Sequence, residues 1–199
     1  MPDDIVRTAY AAIHQLYIDS FGSPTHLDPE DTAFVLRHLT PGPTLDLGCG
    51  PGHFTKTLVD AGIPTTGIDL VPEFIAHAQS AYPDIPFEVG SITSLPVPTG
   101  TITGILAWFS LIHFTPTELP AVLAELHRAL TPGGRLIAGF FDTPDTVEPF
   151  PHKVTTAYRW PIDAFAETLA TAGFTELSRL QRSAADPTRP YAALATIAH

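Results

Sequence analysis

The sequence predicts an α/β fold of parallel βαβ units with a ligand at the carboxyl edge of the sheet. Three observations carry this. Short apolar segments of strand length (44–47, 65–69, 87–89, 102–107, 135–140) alternate with segments of helical periodicity. The first strand runs into Gly48-Cys49-Gly50-Pro51-Gly52, three alternating glycines ahead of a helix start at His53. The second strand closes on an acid, Asp69. Crossovers in such sheets are right-handed, so the loops that follow the strands gather along one edge.

Length and composition bound the rest. A chain of 199 residues with 44% hydrophobic residues is expected to form one domain, residues 1–199. The single cysteine, Cys49, forms no internal disulfide, and no N-terminal apolar run resembles a signal peptide or a membrane span, so a cytoplasmic location is expected. Between two glycines, Cys49 reads as a small filler and not as a nucleophile. A formal net charge of −11 argues against DNA or RNA as partner and favours small neutral or cationic substrates, with no membrane partner. His77, His113, His127 and His152 fall on different elements, so no metal is expected.

The glycine loop is a backbone cradle. It lets a ligand approach the chain, and the helix that starts at His53 points unpaired N–H groups at it. A dinucleotide fingerprint would need glycine where His53 stands, which disfavours a nicotinamide dehydrogenase. Asp46 would repel a pyrophosphate but suits a ligand with an ammonium group, and Asp69 can accept from ribose hydroxyls. Together these suggest an adenosyl amino acid.

Residues 45–55 with Asp69, then 87–92, 95–97, 105–113 and 126–136, resemble class I S-adenosylmethionine-dependent methyltransferases in the family's order. The nearest branch is similar to the small-molecule C-methyltransferases of quinone biosynthesis. The resemblance implies a Rossmann-like three-layer αβα sandwich. Its sheet is mostly parallel and seven-stranded, with an antiparallel C-terminal hairpin, and lid helices precede it. It implies S-adenosyl-L-methionine as cofactor, S-adenosyl-L-homocysteine as product, and methyl transfer to an O, N, S or C atom of a small molecule. Cofactor contacts are implied at Tyr17, Asp46, Gly48, Gly50, Gly52, His53, Asp69, Leu70, Ser91, Ile92, Ala107, Trp108 and Ile112. Two positions depart from the family: Ser91 and Thr103 stand where relatives carry acids. Serine brings one hydrogen bond and no charge, so adenine would lean on Leu70 and Ile92. No Asx-Pro-Pro-aromatic motif occurs at 108–113, which counts against nucleobase or protein-amide nitrogen as the target.

Along the chain, Ile5, Ala9, Ala12, Ile13, Leu16 and Tyr17 predict one amphipathic helix over about 3–20, the first part of an N-terminal cap spanning 1–40. Tyr10 and Tyr17 fall a heptad apart, as a lid over the cofactor or as core packing. Phe21 to Leu27 reads as a loop, and a second helix starts at Asp28-Pro29-Glu30 and runs to Leu39. Helices follow at 53–61, 73–81 and 119–130, the last behind a capping box at Thr115–Glu118. Trp108 and Phe109 face the sulfonium or pack; His113 is the best general-base candidate, against a structural hydrogen-bonded alternative. Residues 141–160 read as an irregular substrate-covering insertion, with Tyr10, Phe109, His152, Tyr158 and Arg159 as substrate contacts. A helix at 162–172 and a hairpin of 174–181 with 191–198, joined by a loose loop at 184–190, complete the chain. A monomer or homodimer is expected. Rival readings are a cofactor-binding module without turnover and a non-methylating reaction on the same fold.

Overall fold

The computed structural model describes residues 2–182 and 190–199. Its helices are α1 (Pro2–Ala11), α2 (His14–Phe21), α3 (Pro29–His38), α4 (His53–Asp60), α5 (Pro72–Ala81), α6 (Leu119–Ala129) and α7 (Ile162–Thr171). Its strands are β1 (Thr44–Leu47), β2 (Thr65–Asp69), β3 (Phe87–Val89), β4 (Ile102–Trp108), β5 (Leu130–Asp142), β6 (Glu148–Pro151), β7 (Thr156–Trp160), β8 (Phe174–Arg182) and β9 (Tyr191–Ala198).

The sheet runs β3-β2-β1-β4-β5 with every pair parallel, and β9 adds antiparallel to β5 and carries β8. The central strands are buried on both faces, as βαβ crossovers require. Alternate residues therefore go to opposite layers. Leu45, Leu47, Ile105 and Ala107 pack with α6 and α7, while Leu106 and Ile137 pack with Phe34, Val35, Phe54 and Leu58 of α3 and α4. This is the expected three-layer α/β architecture with an antiparallel C-terminal end. Among the described residues no helix is long and apolar enough to cross a membrane.

Four details differ from the sequence reading. The first helix is broken: the His14 ring donates from Nδ1 to the Ala11 carbonyl at 2.8 Å, and Ile13 leaves helical geometry at φ −122° and ψ 13°. Ile5 and Leu16 are consequently exposed and pack no core. The expected loop at 21–27 contains a short 3-10 turn, Pro24–His26.

The segment 141–160 is not irregular. It holds the hairpin β6–β7, and β7 joins β5 in parallel at Phe141↔Arg159 and Asp142↔Trp160, beyond the point where β4 ends. The other side of β5 is taken there, since Phe141 also pairs with Tyr191 of β9. Among the described residues the sheet thus has nine strands, against the seven expected. Pro149 and Pro151 hid β6 from sequence reading, because proline is tolerated in strands mainly at an edge, where β6 lies.

Finally, β5 begins at Leu130. A register shift sets Leu130 opposite Ile102 and Arg135 opposite Gly104, so the glycine turn at 132–134 is an irregularity within the strand. Most of the expected hairpin loop, 184–189, lies outside the described residues.

Candidate cofactor and acceptor site

The glycine loop is wired to both strands that flank it. The amides of Gly48 and Cys49 donate to the Ile68 carbonyl at 2.7 and 3.1 Å. Gly48, Gly50 and Gly52 take left-handed φ of 70°, 54° and 84°. A Cβ on Gly48 would stand 2.5 Å from the Ser110 Cβ, and one on Gly52 2.7 Å from the Phe87 ring. At Gly50 the one such neighbour within 4 Å is the Tyr17 ring at 3.7 Å, so α2 covers that side of the loop. Cys49 is buried with Ile75, Ala78, Ile85 and Phe87, and burial pushes its thiol well up, as suits a filler.

Asp69 accepts from the Gly50 amide through Oδ2 and from the Val71 amide through Oδ1, both at 2.8 Å. The acid expected to grip ribose is therefore also the post that holds the glycine loop in place. Burial pushes its carboxyl up to about 6, with the backbone donors acting the other way.

Asp46 has a partner within the fold. It is 2% exposed, and its Oδ2 accepts from the Thr55 hydroxyl at 2.7 Å, tying β1 to α4. Burial pushes its carboxyl up to about 7. A raised carboxyl binds its proton more tightly folded than unfolded, so that stabilisation is complete at acid pH and is lost as pH rises through 7. Asp46→Asn should therefore gain on the wild type by on the order of 2–4 kcal/mol between about pH 5 and 8. Denaturant unfolding at both pH values measures this; an unchanged difference would remove the titration of Asp46 from the account.

Two buried polar atoms beside this cradle have no partner among the described residues: Nδ1 of His53, the first residue of α4, and Oγ of Ser110, which packs on Gly48. Burial lowers His53 to about 4, so its ring is neutral near pH 7. Orphaned polar atoms beside the glycine cradle fit a polar ligand.

Helices α1 and α2 lie beside the loop. Tyr10 of α1 and Tyr17 of α2 meet edge-on at 5.7 Å, and Tyr17 packs at 5.2 Å on Phe74 of α5. Burial first and Asp69 next push the Tyr17 phenol up to about 12. Tyr10 reaches the strand side, where its hydroxyl lies 3.1 Å from His113 Nε2. His113 Nδ1 lies 2.8 Å from the Thr156 carbonyl. A carbonyl only accepts, so Nδ1 carries the proton and Nε2 accepts from Tyr10. Burial lowers the His113 pKa from its ordinary value, which favours this neutral form.

Between these parts stands Phe109 at φ 56°, a left-handed conformation that costs about 1–2 kcal/mol in an L residue. Rings of Phe141 at 5.0 Å, Tyr191 at 5.6 Å and Trp108 at 5.7 Å hold it there. The turn brings Ser110 onto Gly48 and His113 beneath Tyr10.

Leu70, Ile92 and His113 line one narrow cavity, joined by Asp3, Val6, Ser110 and Phe114. Ser91 sits at its Asp3 end, its Oγ donating to Asp3 at 2.6 Å. The side chains of Ala107 and Ile112 lie instead in the core, and Trp108 packs on Phe54 at 5.6 Å. His152 approaches His113 with ring centroids 5.8 Å apart. Tyr158 contributes its amide to the Ile112 carbonyl at 2.8 Å. Arg159 is engaged within the hairpin, over the Phe150 ring at 4.4 Å and 3.7 Å from Glu148. Sequence reading missed Asp3, Val6 and Thr156, which reach the site only through folding; Ser110 lay within the 108–113 stretch without being singled out.

Residues 44–134 match a family model described as a methyltransferase domain. This stretch is therefore similar to a methyltransferase domain. The chain is 33% identical over 100 residues to a demethylmenaquinone methyltransferase of Beutenbergia cavernae, covering 50% of this chain and 41% of the relative. It is 30% identical over 131 residues to a malonyl-[acyl-carrier protein] O-methyltransferase of Pseudescherichia vulneris, covering 64% and 51%. The chain thus spans about half the length or less of these curated relatives. Among solved structures, a Burkholderia thailandensis 1,6-didemethyltoxoflavin-N1-methyltransferase bound to S-adenosylhomocysteine superposes with a TM-score of 0.80. At 21% identity, over 98% of this chain and 88% of that one, the likeness is one of fold. Among the described residues no group of three or more His, Cys, Asp or Glu is placed to hold a metal ion.

Proposed function

We propose that the methyltransferase domain transfers a methyl group from S-adenosylmethionine to a small-molecule acceptor bound under the α1–α2 lid. The observation that carries this reading is the Asp69 carboxylate bonded to the Gly50 amide at the carboxyl edge of β2, beside a loop whose three glycines hold left-handed φ. Ribose hydroxyls would share Asp69, the adenine would lie along Leu70 and Ile92, and the amino-acid end would face the orphaned Ser110 hydroxyl. S-adenosylmethionine supplies an activated methyl for in-line displacement. What the chain must add is alignment and dryness, and orientation alone can provide roughly 7–11 kcal/mol of barrier reduction. Val6, Leu70, Ile92 and Phe114 supply the apolar walls.

A proton acceptor is needed when the acceptor is a hydroxyl or an acidic carbon. His113 fits, because its Nδ1–H is fixed by Thr156 and its Nε2 lone pair faces the lid. An incoming acceptor would take the place of the Tyr10 hydroxyl on Nε2. His152 and Phe109 lie near enough to His113, directly or through Phe141, to border that acceptor. The relatives named above are named for demethylmenaquinone, an O atom of malonyl-[acyl-carrier protein] and N1 of 1,6-didemethyltoxoflavin, so likeness alone does not choose the acceptor atom.

The test is calorimetric titration of S-adenosylmethionine and S-adenosylhomocysteine into the folded protein, followed by a methyl-transfer screen over phenols, hydroquinones, carboxylic acids, amines and thiols. Micromolar binding with turnover of one class is expected; a folded protein that binds neither ligand would overturn the reading. For a hydroxyl or carbon acceptor, His113→Gln should lower kcat about 10²–10⁴-fold while S-adenosylhomocysteine affinity is kept. The wild-type rate should fall with acid, with a midpoint below 6.5, because protonation removes the Nε2 lone pair of a histidine whose pKa is lowered. Steady-state pH profiles check this: the acid limb should vanish in His113→Gln.

A further inference from the structure

Helix α1 closes one end of the Leu70–Ile92 cavity with a carboxylate. Asp3 lines that cavity, and its Oδ2 accepts from the Ser91 hydroxyl at 2.6 Å and stands 3.5 Å from the Thr93 hydroxyl. Ser91 cannot turn a second donor toward a ligand, because its one proton goes to Asp3 while its Oγ accepts from the Thr93 amide at 3.0 Å. Asp3 Oδ1 accepts no hydrogen bond from the described residues. Apart from Ser110 and His113, the cavity is walled by Val6, Leu70, Ile92 and Phe114, and its Asp3 end presents a charged acceptor with a free oxygen. Such an end recognises a flat ring that presents a donor at its far edge, and rejects one that presents a carbonyl there.

We propose that Asp3, carried by the lid helix across 88 residues from Ser91, is the group that reads the adenine amino group of the cofactor. This rests on the cofactor reading above and adds to it a specificity determinant that no strand of the sheet supplies. Adenine offers its exocyclic NH₂ to Asp3, whereas hypoxanthine presents an oxygen at the same place, which the carboxylate repels. Because the reader sits on α1, the lid is held down by the same contact that selects the base. Cofactor recognition and closure over His113 are thus one event, since Tyr10 lies on the same helix.

The experiment is calorimetric titration of S-adenosylhomocysteine and of its deaminated analogue S-inosylhomocysteine into wild type, Asp3→Ala and the double variant Asp3→Ala/Ser91→Asp. The wild type should prefer the adenosyl ligand by about 10–100-fold, the range expected for a hydrogen bond to a charged partner. Asp3→Ala should lose that preference by weakening the adenosyl ligand while the inosyl ligand binds as well as before or better, and Ser91→Asp should restore it by placing a carboxylate on the sheet side. Unchanged adenosyl affinity in Asp3→Ala, or equal weakening of both ligands, would overturn the inference and leave Asp3 a packing residue of the lid. Failure of the wild type to bind S-adenosylhomocysteine would overturn the cofactor reading itself, and this inference with it.

Discussion

Asp69→Ala is expected to lower S-adenosylhomocysteine affinity by about two orders of magnitude or more, and to lower the melting temperature as well. Two losses combine. The ribose partner disappears, and the amides of Gly50 and Val71 lose an acceptor they each reach at 2.8 Å. A buried donor left unsatisfied costs about 1–3 kcal/mol, against which stands the relief of burying a carboxylate that the fold pushes up to about 6. The net destabilisation at neutral pH is on the order of 2–4 kcal/mol. Asp69→Asn separates the contributions, because its amide oxygen can still hold one of the two backbone donors. It should recover part of the stability but little of the affinity. Calorimetry and thermal unfolding on the same samples report both; affinity kept within threefold in a folded Asp69→Ala would show that the cofactor does not use this edge of the sheet.

Gly48→Ala should be comparably damaging for a steric reason. The added Cβ would stand 2.5 Å from the Ser110 Cβ, in a backbone held at φ +70°. The left-handed conformation alone costs roughly 1–2 kcal/mol. The clash adds to it, because Ser110 follows Phe109, whose own left-handed φ of 56° leaves the turn little room to yield. The expected loss is on the order of 3–4 kcal/mol, with weakened cofactor binding because Ser110 and His113 are pushed together from their places. Gly62→Ala is the internal control. It has φ +83° and nothing within 4 Å of the added carbon, so it should cost only the conformational part and leave binding intact. Equal effects at the two glycines, measured by denaturant unfolding and by titration of S-adenosylhomocysteine, would refute the steric account.

What the sequence determined by itself is what local chemistry encodes. Strand edges fell where apolar runs meet glycine or an acid, so Thr44–Leu47 and Phe87–Val89 were legible to the residue. Asp28 and the reciprocal Thr115–Glu118 pair announced their helix starts, and the hydroxyl, carboxylate and amide contacts are made as expected. The glycine loop and Asp69 were legible because a backbone that must expose its amides tolerates few residue types.

The tertiary structure alone decided what depends on pairing between distant segments. Neither Pro149 nor Pro151 advertises a strand, yet β7 and its edge partner β6 form because β5 outruns β4 and leaves backbone groups to be paired. No spacing rule connects Tyr10 with His113, 103 residues away, or Asp3 with Ser91, 88 residues away. Such contacts depend on how the two short lid helices dock, and the break at Ile13 that sets their angle comes from a His14 side-chain bond to Ala11 that helical periodicity does not foretell. The cradle was readable in a single stretch because its chemistry is local; the lid that completes it was not, because docking is decided by the sum of many weak, non-local contacts.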